Sequence, residues 1–120
     1  MPFIDARPMY VVRGMSTTIA AAVTRRTAKI VEALSALDDV GLLAPSALPG
    51  WSRLTIACHL RFGAEALCRM TTETLGGLPT AYYPNGRDEQ RPATLKPKPD
   101  ERPSDVALTL ALHSASLNKV

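Results

Sequence analysis

Residues 48–70, LPGWSRLTIACHLRFGAEALCRM, carry the chain from a turn into a helix. Pro49-Gly50 breaks the backbone, Ser52 is a residue type that caps a first helical turn, and apolar residues then recur at helical spacing until Gly76-Gly77 and Pro79. The pattern predicts a helix from Ser52 to about Leu75. At about 100° per residue, Ile56, His59, Leu60, Gly63, Leu67 and Met70 fall on one side, and Arg61, Glu65, Arg69 and Thr72 on the other. A histidine therefore sits on the face expected to point inward. An imidazole is stable in a core when both ring nitrogens find partners, and bundle cores are also where histidine serves as a metal ligand. Gly63, one turn after His59, removes a side chain where a ligand or ion would need space, although glycine inside a helix costs about 1 kcal/mol relative to alanine. Both readings of His59 stay open on these residues alone.

Before this segment, Ile19, Val23, Ile30, Leu34 and Leu37 mark a first helix, capped by Ser16 or Thr17 and expected to stop at Asp38-Asp39-Val40-Gly41. Arg26 falls at the edge of its apolar stripe, a place from which arginine reaches back to water. Residues 1–15 show no period and carry two prolines and a glycine; they read as an N-terminal extension, with Met15 a second candidate start. After the second helix, residues 78–103 are proline-rich and charged, contain Asn85-Gly86 and show no sustained period, so a long loop is expected. Pro103-Ser104-Asp105 opens a third helix, with Ser104 as its expected cap and Asp105 favourable against the dipole. Val106, Leu110, His113, Leu117 and Val120 share its apolar face. The fold class is all-α: three helices of an up-down bundle, a long loop between the second and third, and an apolar stripe still running at Val120. Such an arrangement is expected to have lost, or to borrow, a fourth member.

The length of 120 residues suits one domain, and 46% hydrophobic and 21% charged residues with mean hydropathy near zero place it among soluble globular chains. No apolar run approaches the ~20 residues of a membrane span, and the N-terminus lacks the apolar core of a signal peptide. A cytoplasmic protein without membrane contact is expected. The net charge of +3 is spread along the chain, and the six aromatic residues are not interleaved with a basic stripe, which argues against nucleic acid as a partner. Cys58 and Cys68 lie ten positions apart on one expected helix, about 15 Å along its axis, too far to pair. His113 has no acid at helical spacing on its own face and reads as an edge or core histidine. Trp51 suits a hydrophobic anchor at the bundle end or the wall of a cleft. Tyr82, Tyr83 and Arg87 or Arg91 either bind an anionic group or form a solvated loop.

Leu48-Pro49-Gly50-Trp51-Ser52-Arg53, with His59-Leu60 six residues on, resembles the entry to the second helix of the mycothiol-dependent maleylpyruvate isomerase family. Tyr83-Pro84 followed by Arg87 or Arg91 matches a further element of that family, and the likeness spans about residues 16–120. The resemblance implies a DinB-like metal-binding bundle as the N-terminal domain of an isomerase or thiol transferase. It also implies His59 as first ligand of a divalent metal, usually zinc, with mycothiol, the small thiol of actinobacteria, as thiol cofactor. The metal would favour the thiolate of mycothiol for attack on a small-molecule substrate. Trp51, Tyr83, Arg87 and Arg91 become candidate contacts to substrate or thiol. The family's two further ligands, a glutamate and a histidine four residues later on the fourth helix, have no counterpart in this sequence. The expectation is thus a partial DinB-like domain over 16–120. The alternative is a non-catalytic interaction module or gene remnant that forms a homodimer through exposed apolar helix faces.

Overall fold

A computed structural model describes residues 6–118, with side chains from residue 18 onward. Five helices follow one another: α1 (Ala6–Ser35), α2 (Asp39–Leu43), α3 (Arg53–Leu75), α4 (Arg87–Thr94) and α5 (Pro103–Leu117). Among the described residues there is no strand beyond an isolated bridge between Pro45 and Ser52, and no helix is long and apolar enough to cross a membrane. The all-α expectation holds, with α1, α3 and α5 as its three long helices. Val120 and residues 1–5 of the N-terminal extension lie outside the described residues.

The boundaries of α3 agree with the sequence. Ser52 Oγ accepts from the Thr55 amide at 3.0 Å, a cap that satisfies one of the free donors of the first turn. At the other end Gly77 takes φ +73°, its amide donates to Thr74 O, and the Leu78 amide donates to Glu73 O at 2.8 Å. This Schellman arrangement needs a residue without Cβ strain at Gly77.

Other boundaries differ from expectation. α1 begins at Ala6 rather than near Ser16; Pro8 falls in its first turn, where a missing amide breaks no helical hydrogen bond. It ends at Ser35, and Gly41 is not its stop. Asp38 instead caps the separate helix α2, its Oδ1 accepting from Gly41 N at 2.7 Å. Ser104 does not cap α5: the cap is Arg102, whose amide donates to Asp105 Oδ2 at 2.9 Å. The Ser104 amide goes to Asp39 Oδ1 at 2.9 Å, tying the start of α5 to α2. The expected loop over 78–103 contains α4, entered through Gly86 at φ +91° and supported by Gln90 Oε1 accepting from the Asn85 amide at 2.7 Å.

The core is made by Leu34 of α1, Leu42 of α2, Leu54, Ala57, Cys58 and Ala64 of α3, and Val106, Ala107 and Leu110 of α5. α5 packs along both α3 and α1, whereas α1 and α3 meet little. A groove is left between them. The inward face of α3 is accordingly turned from the expected one. Arg61, expected on the polar side from its helical angle, is 4% exposed, because small residues at 57, 58 and 64 let α5 and the 95–102 segment come close. Its Nη1 donates to Glu101 Oε1 and Oε2 at 2.5 and 2.6 Å, and Nη2 reaches Lys96 O at 3.5 Å. Glu65 adds a second carboxylate at 3.4 Å from Arg61 Nε. A buried guanidinium whose Nη1 is shared between both oxygens of one carboxylate is a strong charge-assisted contact, and it fastens a charged linker that reads as a loop in sequence. Burial pushes the Cys58 thiol up, which leaves it an inert apolar filler.

Candidate functional site

His59 faces the groove between α1 and α3 and its side chain is exposed, so the core-histidine reading does not hold. The cavity along this groove has a volume of about 360 Å³. Val23 and Ile30 of α1, Leu67 of α3 and Leu110 of α5 give it an apolar wall, with Ser114 and Asn118 as polar points on the α5 side. The residues expected on one face of the second helix do share one side, but that side opens on the groove. Trp51 stands at the head of α3, its ring edge-on to the His59 imidazole with centroids 5.8 Å apart. Its backbone carbonyl accepts from Ser46 Oγ at 2.6 Å, and its amide donates to Leu48 O at 3.1 Å, so the Pro-Gly turn fixes the tryptophan beside the histidine.

The space left by Gly63 is taken by the chain itself. A Cβ at Gly63 would stand 3.2 Å from the Tyr82 hydroxyl, which corrects the expectation that this gap receives a ligand. Tyr82 belongs to a cluster in which Phe62 meets Tyr82 edge-on at 5.1 Å and stacks on Tyr83 at 5.3 Å. Arg69 holds the segment in place, Nη2 donating to Ala81 O at 2.6 Å and to Tyr82 O at 3.3 Å. Burial, and then the neighbouring Tyr83, raise the Tyr82 phenol above its ordinary value, so it stays a neutral donor on the groove wall. We predict that Gly63→Ala in a Tyr82→Phe background raises stability by about 1 kcal/mol. Gly63→Ala alone gains less, because the hydroxyl has to move; urea unfolding of the three variants checks this.

Of the other expected contacts, Tyr83 stacks on Phe62 and is not among the groove residues, where Tyr82 takes that place. Arg87 and Arg91 line a separate depression with Asp88, Pro92 and Leu95, and neither lines the His59 groove. His113 is half-exposed at the edge of α5, its Nε2 4.0 Å from Glu65 Oε1; the acid near it comes from α3 rather than from its own helix. Among the described residues no three His, Cys, Asp or Glu side chains stand together so as to hold a metal ion. A zinc site takes three or four protein ligands, so these residues do not by themselves fit one.

The family model described as the mycothiol maleylpyruvate isomerase N-terminal domain matches residues 20–119. The chain belongs to this family. No curated protein and no solved structure matches it. The matched residues of this mycothiol maleylpyruvate isomerase N-terminal domain include the Pro-Gly-Trp turn, the capped second long helix and the histidine open to the groove. The aromatic pair 82–83 is visible in the sequence, but which ring turns toward Gly63 depends on Arg69 and Phe62, about two turns apart on α3, which hold the 81–83 segment and form no motif with it.

Proposed function

We propose that this chain supplies one part of a composite divalent-metal site, with His59 as its ligand and the remaining donors brought by a helix that enters the groove between α1 and α3. The observation that carries this is the exposed His59 on a largely apolar groove wall, flanked by Trp51, within a chain of this family. An imidazole nitrogen is a preferred zinc donor, and zinc is the metal that the family resemblance implies. A metal in the completed site would lower the pKa of a coordinated thiol; mycothiol and a small-molecule substrate enter only with that completed site. No catalytic step is assigned to the described residues alone. Tyr82 is the proposed wall for such a substrate, as a neutral hydrogen-bond donor, while Trp51, which does not line the cavity, holds its ring against the His59 imidazole. The exposed apolar side chains of the groove also support a purely associative role, and one experiment separates the two.

The test is calorimetric titration with a synthetic amphipathic helix carrying a glutamate and, four residues later, a histidine, with and without zinc. The expected result is peptide binding strengthened about tenfold or more by zinc in the parent, an advantage absent in His59→Ala and retained in His113→Ala. Binding that ignores zinc in all three proteins leaves the associative role and removes the metal reading.

A further inference from the structure

Between Gly77 and Gly86, both at positive φ, residues 78–85 run back along α3 from Glu73 to Phe62 before α4 begins. Most of this strap stands in water: Leu78, Pro79, Thr80, Ala81, Pro84 and Asn85 are exposed, and only its two tyrosines are half-buried. Past Leu78, the hydrogen bonds that join it to α3 among the described residues come from two side chains. Arg69 Nη2 donates to Ala81 O at 2.6 Å and to Tyr82 O at 3.3 Å, and Glu73 Oε1 accepts from Thr80 Oγ1 at 2.8 Å. Glu73 Oε1 also accepts from Arg69 Nε at 3.3 Å. The carboxylate thus takes one edge of the planar guanidinium and leaves another to the strap's carbonyls.

Tyr82 is where the strap reaches the site. Its hydroxyl is the atom that a Cβ at Gly63 would meet, at 3.2 Å, and its side chain lines the cavity with His59. Arg69 does not line that cavity; it lines a different depression with Glu65, Cys68 and His113. A segment with few buried contacts, bonded to its neighbour through half-exposed side chains, opens without the rest of the fold, and glycine bends at both ends supply the hinges. We propose that residues 78–85 form a strap that moves independently of the bundle, and that Arg69, oriented by Glu73, is the positioning residue that keeps the Tyr82 hydroxyl on the groove wall at Gly63. This rests on the reading of Tyr82 as a wall of the site, and it places the control of that wall on a residue outside the groove.

The stability gained by Gly63→Ala reports where the hydroxyl stands. Alanine for a mid-helix glycine is worth about fivefold in the folding equilibrium constant where nothing obstructs it. Urea unfolding compares the gain in three backgrounds, the parent, Tyr82→Phe and Arg69→Met, with circular dichroism verifying that each keeps its helices. The gain is expected to stay below about twofold in the parent and to reach about fivefold in both Tyr82→Phe and Arg69→Met. An Arg69 that only stabilises the fold would lower both members of its pair alike and leave the gain as small as in the parent, which overturns the proposal. A full gain already in the parent overturns it too, because the hydroxyl would then not stand over Gly63. Arg69→Ala repeats the comparison if Arg69→Met does not fold. No metal, peptide or substrate enters the experiment, so its failure leaves the zinc dependence above standing, and a zinc-independent result there leaves the strap and its positioning residue standing.

Discussion

Glu101→Ala is expected to destabilise the protein by about 3 kcal/mol, toward the low end of the cost of breaking a buried ion pair. The reason is the position of Arg61. Its guanidinium is 4% exposed and loses both short contacts at once. Glu65, 3.4 Å from Nε, keeps part of the compensation, which sets the estimate at the low end. The double replacement Arg61→Met/Glu101→Leu removes the charge along with its partner and is expected to cost less than Glu101→Ala alone. Urea midpoints of the parent and the two variants decide the order.

The same pair has a pH signature. Burial pushes the Glu101 carboxyl up, but the hydrogen bonds from Arg61 and the Lys98 amide, with the charges of Arg61 and Lys98, outweigh it and hold the group below its ordinary 4.5. A carboxylate with a lowered folded-state pKa contributes stability that is complete above the unfolded value and lost as pH falls through the folded one. The parent is therefore expected to lose stability on acidification below about pH 4.5 more steeply than Glu101→Ala.

Leu42→Ala is expected to cost about 2–5 kcal/mol, on the order of 10 °C in Tm. Leu42 is fully buried and is the buried anchor of a five-residue helix that cannot stand by itself. Its loss opens a cavity between α2, α3 and α5, and the hydrogen bond from the Ser104 amide to Asp39 is then left to tie α2 to α5. The neighbouring Leu43→Ala, at a side chain 59% exposed, is expected to stay within about 0.5 kcal/mol. Thermal unfolding of the two variants separates burial from helix propensity, since both replace leucine by alanine in the same short helix.

The long helices and the ends of α3 were legible because their signals are local. Ser52 as a cap and Gly76-Gly77 as a stop act through backbone groups within a turn of themselves. Asp38 and Gly41 were visible too, but an aspartate followed three residues later by glycine reads as a stop for the helix before it, while the chain uses it to start the helix after it. α4 escaped notice because RDEQRPAT has almost no apolar residue to carry a period.

The site was half legible. His59, Trp51 and the Pro-Gly turn stood out as a motif. The orientation of α3 did not follow from hydrophobicity, because apart from Leu54 its buried face is built from the small residues Ala57, Cys58 and Ala64 and from the paired Arg61, while Leu67 lines the groove half-exposed. A stripe of leucines and isoleucines marks a face that needs cover, and in this chain α1 and α5 cover it only in part. Gly63 was a true signal of close approach, and the group that approaches is Tyr82, 19 residues along the chain.

If His59 is a metal ligand in a site completed across the groove, as proposed, cobalt(II) in place of zinc makes the ligation visible. With the glutamate-and-histidine peptide present, the parent is expected to develop the intense visible absorption of four-coordinate cobalt, His113→Ala the same, and His59→Ala only the weak bands of the aquated ion. Identical spectra from the parent and His59→Ala would mean that the imidazole on the groove wall holds no metal.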